Sequence, residues 1–132
     1  MRDARRRRVW DRDLAAGRRG EDLAHRFLRR EGFVIVARNY RLSSGEAEAD
    51  LIAREGDDLV IVEVKTRRSG EYGAPERAVN PEKQRHLIRV AREYARKTET
   101  PWEQVRFDVV SIVMEEPPTI TLLRGAFGHA RY

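Results

Sequence analysis

The sequence EAEADLIAREGDDLVIVEVKTR, residues 46–67, contains two runs of strand-forming residues separated by a short turn. The runs cover residues 46–54 and 59–67, and both are rich in aliphatic side chains. Between them lies Gly56-Asp57, and Gly followed by Asp is typical of a two-residue hairpin loop with a type II′ turn. This stretch therefore predicts an antiparallel β-hairpin with a defined register.

The predicted register brings acidic residues together on one face of the hairpin. Asp50 faces Glu63, Glu48 faces Lys65, and the alternation of side chains along a strand places all four on the same side. Facing Cβ atoms lie roughly 4.5–5.5 Å apart, so two facing carboxylates either share a proton or hold a cation. Ile52 and Ile61 continue this face, and the opposite face is predicted to be apolar and buried, with Ala49, Leu51, Ala53, Val60, Val62 and Val64.

The acidic face is typical of a metal-dependent hydrolytic site. Two or three carboxylates suit Mg²⁺, with Mn²⁺ as a second candidate, because these ions take oxygen ligands and accept phosphate oxygens beside them. Lys65 could orient or help deprotonate the attacking water, or stabilise charge that develops on a phosphate. The alternative is a solvated polar face with an ordinary ion pair between Glu48 and Lys65, which contributes little to stability. A one-residue bulge would change which side chains share the face.

Lysine is rare in this chain compared with arginine, which makes Lys65 a candidate for a specific role. The 132-residue chain has 24 arginines and only three lysines, Lys65, Lys83 and Lys97. Arginine does not release a proton near neutral pH, whereas lysine offers a compact charge with an adjustable pKa. The formal net charge of +5 favours a polyanionic partner, nucleic acid ahead of a membrane, although an Arg-rich composition can also be a genome-wide bias.

Several classes of protein are excluded by composition. The chain has no Cys, which excludes disulfide scaffolds, Cys-ligated metals and thiol nucleophiles, and is consistent with a reducing cytoplasm. No apolar run is long enough to cross a membrane, and the basic N-terminus has no apolar segment behind it. The sequence therefore predicts a cytoplasmic protein without a membrane segment.

The rest of the chain predicts one α/β domain, with a mixed central β-sheet flanked by helices. Residues 1–14 are expected to form a flexible Arg-rich tail, residues 15–125 the domain, and residues 126–132 a frayed C-terminus. The predicted order is α-β-β-β-α-β-β, with helices at 14–31 and 81–97, further strands at 33–37, 105–114 and 119–123, and a loop at 69–81.

Other charged residues are candidates for roles around the acidic face. Glu21, early in the first helix, is either a further metal ligand or a first-turn carboxylate favoured by the helix dipole. Asp108 lies in an apolar strand and needs a basic partner or a sheet-edge amide, which favours a structural role. The candidates for contacts with nucleic-acid phosphates are Arg67, Arg68, Lys83, Arg85 and Arg89. Arg85 and Arg89 belong to a basic stripe on the second helix that continues with Arg92 and Arg96.

Asp50 followed by Glu63-Val64-Lys65 on the next strand resembles the PD-(D/E)xK signature of restriction-endonuclease-like nucleases. The order of further segments, from Gly17 to Leu123, resembles the YraN-like family of bacterial proteins. These segments are Gly17-x-x-Gly20-Glu21, Gly32-Phe33, Arg38-Asn39-Tyr40, Glu48-Ala49-Asp50-Leu51-Ile52-Ala53, Val62-Glu63-Val64-Lys65 and Arg106-Phe107-Asp108-Val109-Val110.

The position of Glu21 is similar to that of a metal-site Glu in archaeal Holliday-junction resolvases. One position departs from the YraN-like pattern, in which Gly usually precedes the Glu of Glu-x-Asp directly. Here Ala47 stands in that place, so that Glu46 is an alternative to Glu48 as the motif residue.

The resemblance implies a restriction-endonuclease-like fold and a Mg²⁺-dependent endonuclease. Asp50, Glu63 and Lys65 would be catalytic, and Asp50, Glu63, Glu21 and Glu48 would form the metal site. The expected substrate is nucleic acid, with DNA as the first expectation and branched or processed DNA as one form of it. A homodimer is expected if two strands are cut. The alternatives are a non-catalytic nucleic-acid-binding protein that keeps the fold, and a protein–protein adaptor.

Overall fold

The computed structural model describes residues 17–68 and 79–128, which form a five-stranded mixed sheet with helices packed on both faces. The elements are α1 (residues 17–30), β1 (Val34–Arg41), β2 (Glu48–Glu55), β3 (Asp58–Arg68), α2 (Pro81–Lys97), a 3₁₀ helix (Trp102–Gln104), β4 (Val105–Met114) and β5 (Thr119–Phe127). The predicted order α-β-β-β-α-β-β is confirmed. The tail predicted at 1–14 and most of the loop predicted at 69–81 lie outside the described residues.

The five strands follow one another across the sheet in chain order. β3 and β4 pair in parallel, and the other neighbouring pairs are antiparallel. A parallel pair needs a crossover, and α2 lies in the connection between β3 and β4. The predicted mixed sheet is therefore confirmed. No helix within residues 17–68 and 79–128 is long and apolar enough to span a membrane.

The β2–β3 hairpin has the predicted turn and register. Glu55 pairs with Asp58, and the ladder continues to the pair of Leu51 and Val62. Gly56 has φ +58° while Asp57 keeps a negative φ, as a type II′ turn requires. The local turn chemistry thus determines which residues of β2 and β3 face each other.

The predicted alternation of faces in β2 is wrong at Ala49. Ala49 packs in the same cluster as Ile52, on the α2 side of the sheet, whereas Leu51 and Ala53 pack on the α1 side. The alternation is therefore interrupted around Asp50, one residue beyond the last β2–β3 pair, Leu51 with Val62. An irregularity of this kind turns a side chain away from its regular direction, so the geometry at Asp50 is not that of a regular ladder.

The two helices cover opposite faces of the sheet through apolar stripes. Ala24 and Leu28 of α1 pack with Val62, and Leu87 of α2 packs with Ile61, the neighbouring residue on β3. Because successive strand residues point to opposite faces, β3 is buried on both sides. Gly32 closes α1 with φ +98°, and Asn80 caps α2 by accepting a hydrogen bond from the Lys83 amide at 2.8 Å.

β5 continues past its predicted end at Leu123. It runs to Phe127, which pairs with Phe107 of β4. A register shift passes through Gly125, which has φ +60° and whose amide donates to Asp108 Oδ1 at 3.0 Å. Ala126 and Phe127 therefore belong to the strand and not to a frayed end, because an irregularity at glycine lets pairing resume; residues 129–132 lie outside the described part.

Gly20 allows α1 to approach β3 closely, which leads to a stability prediction. A Cβ atom at Gly20 would lie 2.2 Å from Thr66 Cγ2, whereas a Cβ at Gly17 would meet nothing within 4 Å. Gly20→Ala should lower the free energy of unfolding by about 1–3 kcal/mol through overpacking. Gly17→Ala, the matched control, should be neutral or stabilising by up to about 1 kcal/mol, because Ala favours the helix. Urea denaturation measures both.

Adding Thr66→Ser to the Gly20→Ala variant removes the methyl group in question and should recover part of the lost stability. Equal effects of the two glycine substitutions would show that α1 does not approach β3 in this way.

Candidate active site

Asp50 and Glu63 form a pair of carboxyl groups where β2 leaves β3. Their carboxyl groups lie within hydrogen-bonding reach of each other, and Glu63 is buried, while Asp50 is partly accessible. The main-chain amide of Val64 donates to Asp50 Oδ2 at 2.8 Å, which fixes the orientation of that carboxylate. The two acids that were predicted to face each other therefore lie close together. They do so beyond the end of the regular β2–β3 ladder.

The surroundings make ionisation of Glu63 unfavourable. Burial, followed by the hydrogen bond and negative charge of Asp50, raises the pKa of Glu63 from 4.5 to about 8, against the opposing charges of Lys83 and Lys65. Two carboxyl groups this close share a proton near neutral pH unless a cation compensates their charge. The pair is therefore a place where a cation would be stabilised.

Two of the three lysines of the chain flank Glu63. Lys65 Nζ lies 4.0 Å from Glu63 Oε2, and Lys83 Nζ lies 3.8 Å from the same oxygen. Lys83 also donates to the main-chain oxygen of Glu48 at 3.4 Å. Lys83 was predicted only to contact nucleic acid, and its position beside the acid pair was not predicted. The rarity of lysine, which singled out Lys65, was the available signal for Lys83 as well.

The other acidic candidates lie in ion pairs with arginines. Glu21 Oε2 is 3.5 Å from Arg38, and Glu48 Oε2 is 3.3 Å from Arg41, so Glu48 does not form the predicted pair with Lys65. The alternative motif residue, Glu46, pairs with an arginine of α2, Arg89, at 2.8 Å. Across residues 17–68 and 79–128 no group of three or more His, Asp or Glu side chains is arranged to hold a metal ion.

The acid pair nevertheless fits a hard divalent cation. Mg²⁺ is commonly held by one or two carboxylates, with waters and substrate phosphate oxygens completing its coordination. Asp50 and Glu63 supply that donor set, and the pKa of Glu63, raised first by burial and then by Asp50, is one that a bound cation would lower. The residues present thus suit a two-carboxylate Mg²⁺ site.

The basic residues predicted to bind nucleic acid differ in position. Arg67 lies on the same face of β3 as Lys65 because strand side chains alternate, and Arg68 lies on the opposite face. Arg85 is exposed on α2, and Arg89 is exposed but paired with Glu46. Arg67 and Arg85 are therefore on the α2 side of the sheet, where the acid pair lies.

A second polar cluster lies at the hairpin end of the sheet, away from the acid pair. Arg106 donates twice to the fully buried Asp108, at 2.9 Å from both Nε and Nη2, and also to Asp58 at 3.0 Å and Glu55 at 2.7 Å. Arg124 donates to Glu55 as well, at 2.8 Å. The expectation that Asp108 has a basic partner or a sheet-edge amide is confirmed, since Arg106 and the Gly125 amide both donate to it. The cluster connects the hairpin turn to β4 and β5.

Glu93 of α2 holds the end of β1 and the β1–β2 connection against the helix through hydrogen bonds. Tyr40 donates to Glu93 Oε2 at 2.8 Å, and both the amide and the hydroxyl of Ser43 donate to Oε1. The hydrogen bonds from Ser43 and Tyr40, with a smaller contribution from Lys97, lower the pKa of Glu93 to about 2. The segment held in this way leads directly into β2 and therefore towards Asp50.

Glu93→Gln should lower the melting temperature at pH 7 and make it less sensitive to acid. A carboxylate with a lowered pKa stabilises the fold above its ordinary pKa of 4.5, and this contribution is lost as the pH falls towards 2. The difference in melting temperature from the wild type should therefore shrink below pH 4.5. Glu103→Gln, at an exposed acid, is the control and should change little. A difference that stays constant between pH 7 and pH 3 would contradict this role of Glu93.

Comparison with known proteins gives a consistent family assignment. A family model described as "Uncharacterised protein family UPF0102" matches residues 20–112. A UPF0102 protein of Solibacter usitatus is 51% identical over 111 residues, covering 84% of each chain. One from Rhodococcus opacus is 49% identical over 117 residues, covering 87% of this chain and 98% of its own. One from Dictyoglomus turgidum is 42% identical over 98 residues, covering 74% and 81%. The matched region contains the acid pair and both lysines.

Proposed function

The chain belongs to the uncharacterised protein family UPF0102, the family that its YraN-like motifs predicted, and we propose that it is a metal-dependent nuclease acting on phosphodiester bonds of nucleic acid. The observation that carries the proposal is the contact between Asp50 and the buried Glu63, with Lys65 and Lys83 beside it. Two carboxyl groups held together at a cost in free energy, with ammonium groups next to them, are typical of catalytic sites and less so of structural ion pairs.

In this proposal Asp50 and Glu63 would hold Mg²⁺. The ion would neutralise charge on the phosphate and make the attacking water more acidic. The Val64 amide keeps Asp50 oriented towards the site. Lys65 is 41% exposed at its side chain, so its ammonium can reach a phosphate oxygen or the water, while Lys83 supplies a second positive charge from α2.

The surrounding charge favours a polyanionic substrate. Arg67 is on the same face as Lys65, and Arg85 is exposed on α2, the helix that carries Lys83. Positive groups around a site raise the local concentration of phosphodiesters and position the backbone without reading the sequence. DNA is the expected substrate, with a homodimer required if two strands of a branched molecule are to be cut.

A second candidate is a nucleic-acid-binding protein that keeps the fold without catalysis. It is favoured by the absence of a third metal-ligating acid near Asp50 and Glu63 among residues 17–68 and 79–128. In this case Lys65 and Lys83 would serve to compensate the charge of Glu63. Its binding would be lost steeply with salt but would need no divalent ion.

Incubation with labelled duplex, single-stranded and branched DNA tests the proposal. Cleavage is expected with Mg²⁺ or Mn²⁺ and should stop when the ions are chelated. Salt-sensitive binding without cleavage under any of these conditions would support the second candidate and contradict the nuclease. Absence of both binding and cleavage would favour the protein–protein adaptor.

A further inference from the structure

Two adjoining cavities lie along the outer side of α2, in its C-terminal half. Their volumes are about 330 and 370 Å³, and both are lined by Arg92 and Arg96. One also includes Trp102, and the other includes Ser43 of the β1–β2 connection. We call this pair of cavities the α2 groove. Both are open surface depressions whose size is within the range of small-molecule sites, so the groove can seat a group as large as a nucleotide base.

The α2 groove carries more positive than negative charge. Arg92 lies with its guanidinium 4.7 Å from the centre of the Trp102 ring. In the part of the chain that the structure describes, neither Arg92 nor Arg96 forms an ion pair with a carboxylate, unlike Arg89, which pairs with Glu46. Glu93 and Glu99 also line the groove, but the oxygens of Glu93 are engaged by Tyr40 and Ser43, which leaves one carboxylate, Glu99, against the two arginines. An anionic ligand is therefore favoured there.

The α2 groove and the acid pair lie along the same helix. Arg92 and Arg96 follow Lys83, which marks the acid pair, by nine and thirteen residues on α2. At 1.5 Å per residue the groove lies roughly 14–20 Å from Lys83 along the helix axis, and at about 100° per residue it lies on the side of α2 away from Lys83. Arg85 is exposed on the intervening turns, on the same side as Arg92, whereas the exposed Arg89 is paired with Glu46.

We propose that the α2 groove binds unpaired nucleotides of a single-stranded nucleic acid whose backbone continues to the acid pair. Single strands bind through phosphate contacts to arginines and through stacking of bases on aromatic rings or on guanidinium planes, and Arg92 presents a guanidinium that lies over the Trp102 ring. A cavity can accept a base only if that base is not stacked inside a duplex. This inference rests on the proposed function for the position of the cut, but it concerns binding and is tested without metal.

Fluorescence anisotropy with a labelled single-stranded oligonucleotide in EDTA tests the arginines. Each phosphate contact on a single strand contributes about 0.7 to the slope of log affinity against log salt concentration. Two such contacts, which add nothing at about 1 M salt, strengthen binding roughly 25-fold at about 0.1 M salt, and Arg92→Gln/Arg96→Gln should lose this factor. The matched control is Arg29→Gln/Arg30→Gln, which makes the same charge change at exposed positions of α1, on the other face of the sheet. Equal weakening by both double variants would overturn the proposal.

Tryptophan fluorescence tests whether bases enter the α2 groove. The chain has two tryptophans, so Trp10→Phe leaves Trp102 as the only one. A single strand should quench Trp102 with the same half-saturation as the anisotropy change, and a duplex of equal length should bind more weakly. Binding without quenching, or equal binding and quenching by the duplex, would overturn the proposal. Groove binding without cleavage would contradict the nuclease alone, whereas cleavage with unaltered binding by the arginine variant would contradict this inference alone.

Discussion

Replacing Lys65 by Ala should lower the rate of phosphodiester cleavage by roughly 10²–10⁴-fold, the loss expected when a group that moves a proton or stabilises developing charge is removed. Folding should be nearly unaffected, because the Lys65 side chain is 41% exposed. Single-turnover cleavage with Mg²⁺, alongside a melting curve, measures both effects. Lys97→Ala is the matched control, since Lys97 contacts Tyr40 and Glu93 and not the acid pair.

Asp50→Asn should cause a loss of similar size, because an amide is a poor ligand for a hard cation and cannot share a proton with Glu63. Asp57→Asn, in the exposed hairpin turn, makes the same chemical change away from the site and should leave cleavage intact. Cleavage that survives both Lys65→Ala and Asp50→Asn would place the activity in another site or another protein.

Replacing Arg106 by Met should lower the free energy of unfolding by about 3–5 kcal/mol, because it leaves the fully buried carboxylate of Asp108 without its cation. The Gly125 amide would still donate to Asp108 Oδ1. Urea denaturation measures the loss. Arg124→Met is the matched control and should cost less than about 1 kcal/mol, because that side chain is half exposed and shares Glu55 with Arg106.

Adding Asp108→Asn to the Arg106→Met variant should recover part of the lost stability, since it removes the uncompensated charge. Equal losses for Arg106→Met and Arg124→Met would show that the cluster is a surface network and not a buried one.

The hairpin and its register could be predicted because the information is local. Gly56-Asp57 specifies the turn, and counting outward from it gives the pairs up to Leu51 and Val62. The position of Ala49 could not be predicted in the same way. It depends on an irregularity around Asp50 that tertiary packing imposes. The residues of β2 near Asp50 include no glycine or proline that would have predicted it.

The contacts among residues of the hairpin could be predicted, and their contacts with other elements could not. Asp50, Glu63 and Lys65 lie on one hairpin, so pattern and spacing bring them together. Lys83 is on α2, and its approach to Glu63 depends on how that helix packs across the sheet. Glu21 was assigned to the metal site by resemblance, but Arg38 of β1 lies beside its carboxylate, a contact that requires the packing of α1.

The polar cluster around Asp108 was predicted only in part for the same reason. A buried Asp needs a partner, which sequence alone establishes. The contact of Asp108 with Arg106 is local, because the two residues lie two positions apart on the same face of β4, whereas the contact of Arg106 with Glu55 of the hairpin depends on the parallel pairing of β3 and β4. The extension of β5 beyond Gly125 likewise depends on the hydrogen bond between its amide and Asp108.

The central claim is that Asp50 and Glu63 hold a divalent cation, and titration of the protein with Mn²⁺, followed by electron paramagnetic resonance, tests it most directly. We predict one Mn²⁺ per chain, displaced by Mg²⁺, with binding lost in Asp50→Asn and in Glu63→Gln. Binding should persist in Glu21→Gln and Glu48→Gln, whose carboxylates lie beside arginines. Absence of stoichiometric binding, or binding that survives both Asp50→Asn and Glu63→Gln, would contradict the claim.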